Sequence, residues 1–280
     1  MMEHINWYPG HMKKTRELIA ENLKMVDIVI EVIDARIPVS SRNPIIDELV
    51  KSKRRLIILN KSDLSDPKAN EAWAETFKKQ GNLVLTMNCM TGIGVGQLYK
   101  LLSRLQDEKN EGQFRKKSLR MMIVGVPNVG KSSLINRMTG KKSAKTGDRP
   151  GVTKGKQWLG LENGMQLLDT PGILWPKFED PQVGLNLAFC GSIKDEILDT
   201  ASLALELIKV LQRDYPQLLR ERYKLDELDE DALVNMEAIA AKRGFILPGK
   251  RIDYERCART LLDEFRGGKI GNITLEKVQA

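Results

Sequence analysis

The chain has 280 residues, 41% hydrophobic and 29% charged, the balance of an ordinary globular protein with length enough for two domains and a real core. Disorder and fibrous repeats are excluded, and no apolar run approaches the ~18 residues of a membrane span. The net charge of +8 is uneven: residues 178 to 241 hold 6 Lys+Arg against 14 Asp+Glu, residues 242 to 280 hold 9 against 5, and the remaining +12 lies before residue 178.

That excess clusters at Lys13, Lys14 and Arg16, at Lys51, Lys53, Arg54 and Arg55, at Arg115, Lys116, Lys117 and Arg120, and along 141 to 156. Clustered cations beside an acidic segment point to RNA as the polyanionic partner. Cys89, Cys190 and Cys257 form no CxxC pair, and their odd number argues against a disulfide framework. The amino terminus, with Glu3, His4, Asn6 and Pro9, lacks the layout of a secretory signal. A cytoplasmic protein with reduced thiols, no membrane partner and no obligate oligomer is expected.

In chain order, runs rich in Val, Ile, Leu and Met predict buried strands at 26–34, 55–63, 83–89, 119–125 and 165–172, with helices at 69–80, 96–106 and 131–139 between several of them. This alternation is that of βαβ units and a mostly parallel sheet. A sixth strand at 156–161 joins the fifth through a hairpin at 162–164. The polar stretch 107–118 is expected to be an exposed connection. Beyond about Lys177 helical periodicity takes over, at 195–213, 229–243 and 253–266. The last helix puts Tyr254, Ala258, Leu261, Leu262 and Phe265 on one face and Arg256, Arg259 and Arg266 on another.

Asn60, Lys61 and Asp63 form NKSD at a strand end. A carboxylate there can accept hydrogen bonds from the guanine N1–H and exocyclic amine, a donor pair that adenine lacks. Lys61 can pack its stem over the base, and Asn60 can tie this loop to a phosphate loop. Asn88 and Cys89 open NCMTG at the end of the next strand, where the Cys89 backbone N–H can meet the guanine O6.

Gly125 to Ser132 spell GVPNVGKS, which satisfies G-x-x-x-x-G-K-[ST] between a strand and a helix. Backbone N–H groups from Asn128 and Val129 through Gly130 to Ser133 can cradle phosphate oxygens. Lys131 would neutralise the β and γ phosphates, and Ser132 would give a hydroxyl to Mg²⁺. Asp169 in DTPG can reach that Mg²⁺ through water while the Gly172 N–H senses the γ-phosphate, and Thr153 can complete the metal shell when GTP is bound. The guanine motifs thus precede the phosphate motifs, the reverse of ordinary GTPases. An open α/β sheet allows this, because ligand loops meet outside the carboxyl ends of its strands whichever strand is made first.

This order, with WYPGHM at 7 to 12 and DARIP at 34 to 38, resembles the circularly permuted bacterial ribosome biogenesis GTPase A family over nearly the whole chain. The resemblance implies an α/β fold: a circularly permuted P-loop GTPase domain at 25–177, a basic helical extension at 1–24 and a C-terminal all-helical domain at 178–280. It implies a GTPase that binds a late precursor of the large (50S) ribosomal subunit. The C-terminal domain would meet ribosomal RNA, through Lys242, Arg243, Lys250, Arg251, Arg256, Arg259 and Arg266. Ile173 occupies the position after DTPG and cannot orient water, so the family's proposed histidine maps onto His11. Asn128 matches the asparagine that helps hold potassium in cation-dependent GTPases. GTP or GDP, Mg²⁺ and K⁺ are the implied ligands, with turnover slow alone and faster on the ribosomal particle. The competing readings are an ATP-using P-loop phosphotransferase or nucleic-acid motor, and an RNA-binding module with a vestigial nucleotide site. Asp34 and Arg36 receive no role beyond a structural one.

Overall fold

The apolar runs become a six-stranded sheet in the computed structural model, which describes residues 17, 19–51, 53–140, 158–161, 164–168, 178 and 180–278. Its elements are β1 (Ile28–Asp34), α1 (Pro44–Val50), β2 (Arg54–Asn60), α2 (Pro67–Lys79), β3 (Leu83–Thr86), α3 (Val95–Asn110), β4 (Arg120–Val124), α4 (Lys131–Thr139), β5 (Trp158–Gly160) and β6 (Gln166–Leu168). The C-terminal part adds α5 (Pro181–Phe189), a 3-10 turn (Asp195–Ile197), α6 (Thr200–Asp214), α7 (Pro216–Tyr223) and α8 (Ala232–Arg243). A hairpin of β7 (Ile246–Leu247) and β8 (Arg251–Ile252) then leads to α9 (Tyr254–Arg266).

The strand order is β3-β2-β1-β4-β6-β5, parallel throughout except for β5 against β6. The chain builds outward from β1 to β3, then restarts at β4 on the other side of β1. A ligand crevice is therefore expected at the carboxyl ends of β1 and β4, where the direction of winding switches.

β1 is buried along its whole length because both of its faces are covered, and Glu31 is the one carboxylate inside its apolar run. Ile28, Ile30 and Val32 join Leu98, Leu102 and Leu134 in the largest core cluster, while Val29 packs with Ile19, Leu23, Ile46 and Val50 on the other face. That largest cluster continues through Leu187, Phe189, Leu203, Leu207, Leu261 and Phe265. The C-terminal helices and the sheet thus share one hydrophobic core. Among the described residues, no helix is long and apolar enough to cross a membrane.

Several expectations change in detail. Strands β2 and β3 stop three residues early, because the residues beyond them are spent on a turn, Leu64 N to Lys61 O, and on a bond between the two loops, Ser62 N to Met87 O. Helix α3 runs on to Asn110, and Lys109 Nζ then bonds both the Asp27 carboxylate (2.6 Å) and the Ser118 carbonyl (2.7 Å), so the connection at 107–118 folds back on the amino ends of the central strands β1 and β4. The C-terminal part is helical but not wholly so, since β7 and β8 interrupt it. Helices α1, α5 and α7 escape the periodicity argument. The first two did carry a start signal, an Asn43-Pro44 and an Asp180-Pro181 pair in which the capping side chain accepts the N2 amide and proline occupies the first turn.

Candidate nucleotide-binding site

Three loops meet outside the carboxyl ends of the central strands. The phosphate loop leaves β4 at Gly125, where a Cβ would lie 2.3 Å from the Val32 carbonyl oxygen of β1. It closes at Gly130, the N-cap of α4, with φ +103. The first-turn amides of α4 have no acceptor within the helix, so they form a donor cup, and Lys131 sits nearly buried beneath it with Nζ donating to the Val126 carbonyl at 2.5 Å.

Asn60 ends β2 and is 3% exposed. Its Nδ2 donates to the Val129 carbonyl at 2.6 Å, and its Oδ1 accepts the Cys89 backbone N–H at 2.9 Å. One buried carboxamide therefore fastens the NKSD turn, the phosphate loop and the NCMTG loop together. Asn88 organises the third loop, its Oδ1 accepting the amides of Met90 (2.9 Å) and Thr91 (3.0 Å). Ser133 Oγ approaches Met90 Sδ at 3.4 Å, and Arg137 donates to the Met90 carbonyl, so α4 also leans on this loop. Asp63 is exposed at the rim.

The geometry corrects one expectation and adds a contact to another. The Cys89 N–H is already committed to Asn60, so in this structure it joins two loops rather than facing a base. Lys61, at φ +60, places its Nζ 2.9 Å from Asp34 Oδ2. Burial alone would raise the Asp34 carboxyl, but the adjacent Arg36 and then Lys61 outweigh it and hold it well below the usual carboxylate range.

The C-terminal part reaches this site. Asn128 Nδ2 donates to the Gly191 carbonyl at 2.7 Å, just beyond α5. Arg266 turns inward: its guanidinium pairs with Asp195 at 2.6 Å and donates to the carbonyls of Phe189 (3.0 Å) and Ala188 (2.8 Å). Arg243 pairs with Glu264 at 3.1 Å and covers the Tyr223 ring. Arg266 is thereby engaged within the fold, whereas Arg243 stays exposed while paired with Glu264. Arg256 lies over the Phe245 ring yet remains exposed, as do Lys242, Lys250, Arg251 and Arg259. His11, Thr153, Asp169 and Gly172 lie outside the described residues.

Sequence reasoning missed a further layer around the base loop. Residues after α9 run along it: Asn272 Nδ2 donates to the Asp63 and Ser65 carbonyls, Ile273 N to Leu64 O, and Thr274 Oγ1 accepts the Asp66 N–H. No periodicity or motif marks that tail. Asp34 and Arg36, by contrast, lie in DARIP at a strand end, a position where sequence alone could have raised suspicion.

The three cysteines are free and buried. Burial pushes the Cys89 and Cys190 thiols up to about 12 and the Cys257 thiol up to about 11, so none is a thiolate near neutrality. Native protein at pH 7.5 is expected to resist iodoacetamide, and denatured protein to take up three adducts by intact mass. Rapid native alkylation would contradict this packing.

A mostly parallel sheet with G-x-x-x-x-G-K-S between β4 and α4, and an NKSD turn wired to it through Asn60, defines a P-loop GTPase with permuted motif order. A family model described as 50S ribosome-binding GTPase matches residues 120–241, and one described as RsgA GTPase matches residues 10–179. Ribosome biogenesis GTPase A of Bacillus cereus is 46% identical over 97% of this chain and 93% of its own length, and that of Thermotoga maritima 34% identical over 98% and 94%. A GDP-bound T. maritima YlqF structure superposes with a TM-score of 0.70 at 31% identity, covering 93% of this chain and 98% of that one.

The chain belongs to the ribosome biogenesis GTPase A family. It is a GTP hydrolase of ribosome biogenesis whose ligands are GTP, GDP and Mg²⁺. The described residues fit them: Gly130 turns at φ +103 to present the first-turn amides of α4, Lys131 brings a cation, and Ser132 brings a hard oxygen donor to the same helix turn.

Proposed function

We propose that this GTPase acts at a late step of large (50S) subunit assembly, binding ribosomal RNA of the immature particle and hydrolysing GTP there. The observation that carries this reading is the bond between Asn128 of the phosphate loop and the Gly191 carbonyl of the C-terminal part. Through it, a change at the phosphates is felt by the region whose outer face carries Lys242, Lys250, Arg251, Arg256 and Arg259. Among the described residues Arg259 pairs with Glu255 across one helical turn, a surface contact worth at most about 1 kcal/mol, so it can be surrendered to an RNA phosphate.

Asp63 accepts the guanine N1–H and amine, with Lys61 alongside the base and Asn60, Asn88 and Cys89 holding the surrounding loops. The amides of Asn128, Val129, Gly130 and Ser133 receive the phosphates, and Lys131 exchanges the Val126 carbonyl for the β and γ oxygens. Ser132, Thr153 and Asp169 would hold Mg²⁺, which would supply positive charge to stabilise the transferring phosphoryl group. The Gly172 N–H contacts the γ-phosphate. His11 orients water in place of the aliphatic Ile173. Asn128 donates through Nδ2, so its Oδ1 is the atom offered to potassium.

The test is phosphate release from GTP with and without large-subunit precursor particles, in potassium and in sodium, together with ATP competition against labelled GDP. Turnover is expected to be slow alone and at least about tenfold faster with particles, within the ~10⁵ that completing a GTPase site in trans can supply. Potassium should exceed sodium, and ATP should fail to compete. Displacement by ATP would favour the phosphotransferase or motor reading, and no release even with particles would favour an RNA-binding module.

A further inference from the structure

We propose that Asp34 and Arg36 are positioning residues for the guanine reader, holding Lys61 in place and anchoring its loop to the last helix of the C-terminal part. The proposal rests on the assignment of the NKSD turn to the base. Asp34 is the final residue of β1 and sits in register with Asn60, the first residue of that turn. The Ala35 amide also donates to the Asn60 carbonyl at 2.9 Å. The Asp34 carboxylate therefore emerges beside the base loop, and its two oxygens are fully used. Oδ1 accepts the Arg36 backbone N–H (3.1 Å) and Nε (2.9 Å), and Oδ2 accepts Arg36 Nη2 (2.8 Å) and Lys61 Nζ (2.9 Å).

Lys61 needs such an anchor. Its φ of +60 is a left-handed conformation that a lysine adopts only at a cost, and a free ammonium on a four-carbon stem would sample many rotamers. Fixing Nζ at Asp34 leaves the stem as a defined apolar strip beside the rim where Asp63 stands. The position also argues against a merely stabilising pair. Burying an ion pair is weak evidence for stability, since desolvation offsets most of the Coulomb gain.

Arg36 carries the constraint onward. It is 1% exposed, its Nη1 donates to the Arg266 carbonyl at 3.3 Å at the end of α9, and its guanidinium lies 5.4 Å from the Phe265 ring centre. Its own carbonyl accepts the Leu275 amide at 2.8 Å, from the tail that also grips residues 63 to 66. The base loop is thus held from inside by Asp34 and Arg36 and from outside by the tail.

The experiment is a fluorescent GDP titration of the full chain as wild type, Asp34→Asn, Lys61→Met and the double variant, with thermal melts of each. Asp34→Asn and Lys61→Met are each expected to raise the GDP Kd about tenfold, while the double variant stays within about twofold of Lys61→Met alone, the signature of residues acting as one unit. Lys61→Met should melt close to wild type, because Asp34 keeps Arg36. Should Asp34→Asn fail to fold, Lys61→Met alone decides. A Lys61→Met Kd within twofold of wild type overturns the proposal, as does an Asp34→Asn penalty that is equal in both backgrounds. Asp63→Ala in the same titration keeps the two readings apart. If it binds GDP as wild type does, the base assignment itself fails, whereas an Asp63→Ala defect with a normal Lys61→Met removes only the role given to Asp34 and Arg36.

Discussion

Gly130→Ala is expected to lower guanine nucleotide affinity by about a hundredfold or more, close to 3 kcal/mol, while leaving the sheet assembled. Two effects combine at this residue. Its φ of +103 is open to glycine but strained for any side chain, at about 1–3 kcal/mol. A Cβ would also stand 2.2 Å from Asn60 Nδ2, so Asn60 would have to withdraw from Val129. The substitution therefore damages the phosphate cup directly and the base loop indirectly. Titration with a fluorescent GDP analogue and far-UV circular dichroism separate loss of the site from loss of the fold. An alanine variant that binds within threefold of wild type would show that the loop relaxes freely, contrary to the packing described.

Asn60→Ala should cost both stability and binding. The Val129 carbonyl and the Cys89 amide would lose their partner inside a buried junction, at about 1–3 kcal/mol each, which for a chain of this size lowers Tm by roughly 5–15 °C. GDP affinity should fall at least about tenfold, because three loops lose their common fastening. Asn60→Asp is the sharper variant. It keeps an oxygen for the Cys89 amide but sets a carboxylate against the Val129 carbonyl, so its binding defect should equal or exceed that of alanine. An aspartate variant with wild-type affinity would mean that the link to the phosphate loop is dispensable.

The permuted chain order acquires a physical meaning from these contacts. Its C-terminal part begins near the phosphate loop, through Gly191 against Asn128, and ends on the base loop, through residues 272 to 275 against 63 to 66. The C-terminal part therefore grips the site at both of its chemical ends. Leu261 and Phe265 of α9 belong to the same continuous core as Val126 and Val129 of the phosphate loop.

What the sequence determined by itself was whatever depends on local spacing. The strand, loop and helix around GVPNVGKS, the alternation of apolar runs with helical segments, and the NKSD turn at a strand end follow from residue type and period. Each needs only near neighbours along the chain. The tie from Asn60 to the phosphate loop was also within reach, because a shared pocket demands it. Tertiary structure alone decided which amides and cations remained available. The Cys89 N–H goes to Asn60, Arg266 turns in to Asp195 and the α5 carbonyls, and Asp34 takes Lys61, because the packing of helices, loops and strands brings residues far apart in sequence to within about 3 Å. Hydrogen-bond capacity is finite, and only the folded arrangement shows where it has been spent.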